Sequence, residues 1–322
     1  MASKKVKIAA TYFITIILTM VLLGGTAYFI ITHYVFAEKD DGSDLDALLK
    51  PDTQTVTEGY QPAFENNKTI LLILDAEKRE SGSCFLLLRF LPTEQGALVM
   101  PLQSDCEVNG ANGKTTLYEL FRTGGTTKAL AAIKEITGLD IDRYMKFDKN
   151  SFTNALDIFG GVNYKIPYQL IYDNKETGEM TVIQEGEQFL DATLIRRVLT
   201  YPLYKNGESY RATVLAMLTA DMFNQNLGTG MSDRLDSCFS TVINSGVETN
   251  ITSYDYEDQK KALAYVLDAE EDTVGIVLPI GGYNEDGRYV MNSDFVRLLP
   301  ETLMTVPPAY STTTTAAESA NE

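Results

Sequence analysis

Thr69-Ile70-Leu71-Leu72-Ile73-Leu74 is apolar at every position after the first. A strand with one wet face alternates apolar and polar side chains. An unbroken apolar run of about six residues predicts a strand covered on both faces. Two similar runs follow, Phe85–Phe90 and Ala97–Met100. The segment between them, Pro92-Thr93-Glu94-Gln95-Gly96, has the composition of a hairpin loop. Further along the period lengthens. Thr126–Thr137 places Leu130, Ile133 and Ile136 on one helical face, with Thr126 able to cap it and Gly138 able to end it. Ser151–Phe159 predicts a second helix, closed by Gly160-Gly161, and Val162–Pro167 a strand. Ser209–Asn226 carries Val214, Leu215, Leu218 and Met222 at helical spacing. Asp233–Ile243 and Asp255–Leu267 predict more helices, and Thr273–Leu278 a strand. Strands alternating with amphipathic helices predict an α/β fold, a sheet covered by helices.

The N-terminus has a different character. Lys4, Lys5 and Lys7 precede a stretch from Ile8 to Thr32 without a charged residue. Spanning hydrocarbon takes about 20 such residues. Tyr12 lies at one end, and Tyr28, Phe29, Tyr34 and Phe36 cluster at the other, as interfacial aromatics do. The lysines predict a cytoplasmic N-terminus (1–7), an anchor over 8–36 and an extracellular remainder. Val35-Phe36-Ala37 would pass as a cleavage site, but the run exceeds the ~7–15 residues of a signal-peptide core, so an uncleaved anchor is favoured. The chain carries a net charge of -17, with 27 Lys+Arg against 44 Asp+Glu. That balance argues against nucleic acid, whose phosphates call for clustered cations. His33 is the one histidine. If it stands at the membrane edge, the rest of the chain holds no Ser-His-Asp triad and no His-ligated zinc.

Residues 37–67 are polar and begin with Glu38, Asp40, Asp41, Asp44 and Asp46, which predicts an acidic linker. Residues 301–322 are rich in Ser, Thr and Ala and predict a disordered tail. The folded part is expected over 68–300. Cys84, Cys106 and Cys238 are an odd number for an exported chain. A Cys84–Cys106 bridge is open through the hairpin, and three thiols in apolar surroundings are the simpler reading.

One long block organises the middle of the chain. It runs Gly138-Leu139-Asp140-Ile141-Asp142-Arg143-Tyr144-Met145-Lys146-Phe147-Asp148, then Phe152, then Leu156-Asp157-Ile158-Phe159-Gly160-Gly161-Val162. Upstream stands Lys114-Thr115-Thr116-Leu117-Tyr118, ending in Gly124-Gly125; downstream stand Glu187–Ala192 and Val247–Ile251. In order and spacing these motifs resemble the LytR-CpsA-Psr family of the bacterial cell envelope, over roughly Lys68 to Leu299. The resemblance implies a mixed central sheet flanked by helices, an α/β/α domain, after one N-terminal transmembrane helix. It also implies an activity: phosphotransferase-type transfer of a glycopolymer from polyprenyl pyrophosphate to peptidoglycan. The lipid chain would lie in an apolar tunnel under the sheet, with arginines on the pyrophosphate and acids on Mg²⁺.

Carried over residue by residue, much of the family's site is altered. Its G-x-D-x-R stretch falls on Ile73-Leu74-Asp75-Ala76-Glu77, which keeps Asp75 alone. Its R-S-D-T stretch resembles Glu80-Ser81-Gly82-Ser83, without the metal-holding acid. Its S-x-P-R-D stretch becomes Val99-Met100-Pro101-Leu102-Gln103. Its Y-x-R-x-R arginines fall near Thr200 and Pro202, with Arg196 and Arg197 one helical turn away. Its D-x-x-R-x-x-R-Q stretch resembles Glu208 to Leu215, keeping Glu208 and Arg211 and replacing the second Arg and the Gln by Val214 and Leu215. The resemblance therefore nominates Asp75, Glu208 and Arg211 as surviving catalytic positions. Asp75 is the Mg²⁺ ligand, and Arg79, Arg196 and Arg197 are compensating cations for the pyrophosphate. Each also has a structural reading: Asp75 as a strand-end turn residue, Glu208 and Arg211 as an i,i+3 pair, and Arg122 and the others as surface cations. Apolar Leu102, Val214 and Leu215 would leave phosphate charge without donors. The expectation is a membrane-anchored cell-envelope protein with transfer activity weakened or lost. Its partners would be the membrane, a polyprenyl-pyrophosphate-linked glycopolymer, and peptidoglycan or another family member. The alternative is a non-catalytic scaffold or lipid-binding module beside an active relative.

Overall fold

The computed structural model describes residues 59–75, 83–174, 178–269 and 272–306. The expected anchor, the acidic run, the Thr/Ser-rich tail beyond 306, Glu77, Arg79 and Glu80 lie outside the described residues. Within them, no helix is long and apolar enough to cross a membrane. In chain order the elements are β1 (Lys68–Leu74), β2 (Cys84–Leu91), β3 (Gly96–Leu102), β4 (Glu107–Gly110), β5 (Gly113–Thr116) and α1 (Leu117–Thr137). Then come β6 (Arg143–Phe147), α2 (Lys149–Leu156), β7 (Val162–Ile166), β8 (Leu170–Asn174), β9 (Glu179–Ile183), β10 (Gly186–Leu190), α3 (Ala192–Leu199) and α4 (Gly207–Asn226). The chain closes with α5 (Thr229–Ser232), α6 (Leu235–Asn244), β11 (Glu248–Thr249), α7 (Ser253–Leu267), β12 (Val274–Ile276), β13 (Gly281–Tyr283), β14 (Tyr289–Met291) and α8 (Ser293–Thr302).

The central sheet has the order β11-β6-β1-β2-β3-β12. It is mixed: β1 is antiparallel to β2, with Leu72 opposite Leu86, and parallel to β6, with Leu72 opposite Met145. β12 joins β3 in parallel. The apolar run of β1 feeds two cores because successive side chains point to opposite faces. Leu71 and Ile73 join Phe85, Leu87 and Met100 under α1 and α8. Leu74, Cys84 and Leu86 join Val214, Leu215 and Leu218 of α4 on the other face. Each such fully buried Leu or Ile stabilises the fold by about 1.5–3 kcal/mol relative to exposure.

Several boundaries differ from the sequence expectations, each for a local reason. The helix expected from Thr126 begins at Leu117, where the Thr116 side chain accepts from the Glu119 amide. Gly125, at φ 67° and ψ -168°, kinks that helix instead of preceding it. The helix expected from Ser151 begins at Lys149, capped by Asp148 through the Asn150 and Ser151 amides, and ends at Leu156. β6 and the β8–β9 hairpin were hidden: β6 is half-buried throughout and lacks an apolar run. Packing also begins before Lys68, since Tyr60 lies edge-on to Tyr265 and Asn67 accepts from Thr93. The three cysteines are free thiols.

Gly161 explains the Gly-Gly-Val motif. It sits at φ +136°, and a Cβ there would lie 2.4 Å from the Phe189 ring and 2.5 Å from the Leu190 carbonyl oxygen. The β7–β10 pair can close only over a residue without a side chain. At its end, α4 caps two short strands. Asn224 bonds both the amide and the carbonyl of Val274, and Gln225 bonds both those of Asn163. Two side-chain amides thus stand in for a neighbouring strand, which blunts edges that would otherwise pair with another chain.

Candidate functional site

The chain follows β1 to Asp75, whose amide donates to the Phe147 carbonyl and continues the β1–β6 pairing. Ser83 precedes β2 and donates its hydroxyl to Asp75 Oδ1 at 3.2 Å. Arg122, in α1 just before the kink, brings Nη1 to 3.8 Å from the same oxygen. Across the sheet end, α4 starts with Glu208 in its first turn, where the helix dipole favours an acid. Glu208 Oε1 accepts from the Ser104 amide at 2.9 Å.

Arg211 is the centre of this arrangement and is 5% exposed. Its Nε and Nη2 donate to the two Glu208 oxygens, each at 2.6 Å. Nη1 approaches Cys84 Sγ at 2.9 Å and the Leu199 carbonyl at 3.3 Å. Nη2 also reaches the Ser83 carbonyl at 3.2 Å and Ser104 Oγ at 3.4 Å. A guanidinium has five N–H donors, and all five are spent inside the protein. Burial would lower the Arg211 pKa, but Cys84 and Glu208 outweigh it and raise it. Burial also raises the Cys84 pKa, against the opposing pull of Arg211.

The structure therefore brings Asp75, Glu208 and Arg211 into one network, joined through Ser83. Arg196 and Arg197 are half-buried in the last turn of α3, the helix whose Leu199 carbonyl accepts from Arg211. Leu102, Val214 and Leu215 are 1%, 2% and 7% exposed. They are core residues, Leu102 on the α1 face and the other two on the α4 face.

Asp105 belongs to the same neighbourhood and escaped the sequence reading, which stopped at Gln103. Burial first, then Glu208, push its carboxyl up to about 6. Its Oδ1 is buried and no described residue donates to it. The Tyr283 hydroxyl donates to Gln103 Oε1 at 3.0 Å and lies close enough to Asp105 and Glu208 for both to raise its pKa after burial. The available signal was an acid three residues beyond the end of a fully apolar strand, Gly96–Leu102.

The donor set does not fit Mg²⁺. Asp75 is the carboxylate at the strand end, and the oxygen it offers faces a guanidinium and a hydroxyl. Among the described residues, no three Asp, Glu, His or Cys side chains converge on a point.

A second feature lies at the other end of the strands. Ile70, Leu88, Phe90 and Met145 of the sheet face Leu235, Phe239 and Val242 of α6 and Leu263 of α7 across a groove of about 510 Å³. Its mouth is charged, with Lys68, Asp142, Asp258 and the Arg143–Asp255 ion pair. The Arg143 hydrogen bond, then those from Thr252, hold the Asp255 carboxyl well below the usual carboxylate range. Its volume falls within the range of small-molecule sites, about 300–1,000 Å³.

A mixed sheet between helical layers, with an apolar groove at one end and an acid–arginine network at the other, defines the class of domain. Residues 65–197 match the model of the LytR_cpsA_psr family. The chain is 20% identical over 260 residues to the polyisoprenyl-teichoic acid–peptidoglycan teichoic acid transferase TagU of Bacillus licheniformis, covering 79% of this chain and 81% of the relative. Its fold is similar to a crystal structure of a transcription regulator from Eubacterium siraeum, with TM-score 0.67 and 23% identity over 82% of this chain and 99% of that one. It is also similar to TagT bound to LI-WTA, with TM-score 0.55 and 17% identity over 77% and 96% of the two chains.

Proposed function

We propose that this protein works in cell-envelope polymer assembly, holding a polyprenyl-linked glycopolymer with its lipid chain in the α6–α7 groove, and that its transfer chemistry is weakened or lost. The apolar run over 8–36 would anchor it, with the domain extracellular. Cell-wall polymer transfer is supported at the level of the family by the TagU relative and the TagT likeness. The single observation that carries the loss is Arg211. A transferase must neutralise the charge that develops on a leaving pyrophosphate with donors aimed at it. Here the best-placed guanidinium aims every donor at Glu208, Cys84, Leu199, Ser83 and Ser104. Among the described residues Asp75 stands without a second acid, so no step is drawn through Mg²⁺.

A residual phosphotransferase is the second reading. It is favoured by Asp75 and Arg122, an acid and a cation side by side at the strand end. In that reading Arg122 would pair with a phosphate oxygen and Arg211 with Glu208 would hold the floor of the site. The experiment that separates them is transfer of a radiolabelled lipid-linked glycopolymer onto peptidoglycan by the full chain. The first reading expects no transfer above the protein-free rate. Transfer that Asp75→Ala or Arg122→Ala abolishes would overturn it.

A further inference from the structure

The groove between the sheet and α6–α7 has an inner end as well as a mouth. Its floor is Ile70, Leu88 and Met145. Two residues further along each of those strands, toward Asp75, stand Leu72, Leu86 and Phe147. All three belong to the core under α4, with Val214 and Leu218. The Phe147 ring meets Phe152 of α2 edge-on at 6.1 Å. Among the described residues, that packing fills the sheet face between the groove and the acid–arginine network. One wall of the groove is held rigidly. Phe239 stacks on Tyr256 at 7° with centroids 4.2 Å apart, and the Tyr256 hydroxyl donates to Asp236 Oδ1 at 2.6 Å. The cations at the mouth are engaged: Arg143 pairs with Asp255, and Lys68 Nζ donates to the Glu65 carbonyl at 2.6 Å, with Asp142 and Asp258 at the same rim.

We infer that the groove grips the terminal isoprene units of a polyprenyl chain, tail first, and leaves the pyrophosphate end outside the domain. The inference rests on the reading of the domain as a holder of polyprenyl-linked polymer, and names the part of the lipid that it recognises. Packed at the density of a protein interior, an isoprene unit takes up about 120 Å³, so a groove of about 510 Å³ holds about four units. A longer chain continues out through the mouth, since the inner end is packed. The apolar lining favours each unit that enters by removing it from water. The mouth sets the orientation. Its three carboxylates and two engaged cations, in a chain of net charge -17, repel a pyrophosphate held at the rim. That repulsion falls with distance and is screened by salt, so it fades as more units separate the grip from the head. The charged end of a long carrier therefore lies beyond the groove, open to a second enzyme.

The test is pairwise competition of C15, C20, C35 and C55 polyprenols and their pyrophosphates for the detergent-solubilised full chain, read by native mass spectrometry. Affinity for the alcohols should rise at least tenfold from C15 to C20 and then change less than threefold up to C55. A pyrophosphate should weaken the C20 ligand at least fivefold, because its head sits at the mouth, and leave the C55 ligand within threefold of its alcohol. Val242→Trp, which puts an indole into the groove, should weaken every alcohol at least tenfold. Asp258→Asn, at an exposed position on the rim, should relieve the C20 penalty at least twofold without changing the alcohols, and serves if Val242→Trp melts early. Affinity that climbs steadily to C55, a pyrophosphate that tightens binding at either length, or a C20 penalty unchanged in Asp258→Asn overturns the inference and leaves the functional reading standing. Polyprenols that fail to bind at any length, or that Val242→Trp leaves bound, remove both.

Discussion

Arg211→Met asks whether the arginine that family resemblance would assign to a ligand is instead part of the fold. Arg211 and Glu208 have side-chain exposures of 6% and 18%. Breaking a buried pair by removing one partner costs about 3–5 kcal/mol, because the other charge is left without compensation. The Ser83 and Leu199 carbonyls lose a donor in the same step, each a penalty of about 1–3 kcal/mol if nothing replaces it. Taking about 4 kcal/mol for the pair alone, and about 2–4 °C per kcal/mol for a domain of roughly this size, Tm should fall by at least about 8–16 °C. The double variant Glu208→Leu/Arg211→Met removes both charges and should recover at least about 2 kcal/mol of that loss, the coupling expected of groups in one network. Differential scanning calorimetry of the four proteins of the cycle at pH 7 gives both numbers. If Arg211→Met melts within about 2 °C of the parent, Arg211 is not holding the fold together and the argument that its donors are spent fails.

Four more predictions follow from the same geometry. Asp105 carries a folded-state pKa of about 6 against an ordinary 3.8. A raised acid costs stability as it ionises, so the penalty is absent below about pH 4, grows through pH 6 and is complete above. Asp105→Asn should therefore raise stability by about 1–3 kcal/mol at pH 7 and leave it unchanged at pH 4, read from urea midpoints at the two pH values. Gly161→Ala meets a backbone oxygen at 2.5 Å in a left-handed conformation, and should destabilise by at least about 2 kcal/mol in a urea titration. Asn224→Ala removes both bonds to Val274. Amide exchange at Val274 should accelerate, with a stability loss of about 1–3 kcal/mol. Val214→Arg, which writes the family's arginine back into a position 2% exposed, should lower Tm steeply rather than restore pyrophosphate binding, as burying an unpaired charge costs several kcal/mol. A stable variant with gained affinity would show that the position opens toward ligand.

The central strands were legible because their chemistry is local. The runs at Thr69–Leu74 and Phe85–Phe90 are apolar on both faces, and only a sheet covered by helices accommodates them. The helix starting at Leu117 was legible only in its second half, since Thr126 reads as a cap while the structure carries the helix through a kink at Gly125. β6 could be recognised only inside the longer block, because Arg143, Met145 and Lys146 owe their strand conformation to pairing with β1, a contact made across 70 residues of chain. At the site, the sequence placed Asp75, Glu208 and Arg211 near one another through resemblance alone. It could not show that Arg211 spends its donors inward, because Ser83, Cys84, Leu199 and Ser104 come from three distant segments. Asp105 was illegible for a related reason. An acid is visible in a sequence, but the burial that raises its pKa is a property of the packed strand ends.

The most direct test of the account compares polyprenol with polyprenyl pyrophosphate as ligands of the full chain, each with and without Mg²⁺, by native mass spectrometry. The account predicts that both lipids bind in the groove with affinities within about threefold of each other and that Mg²⁺ changes neither. A pyrophosphate lipid bound tenfold or more tightly than the alcohol, with that preference lost on removing Mg²⁺, would contradict it and return Asp75 and Arg211 to the role of ligand-holding residues.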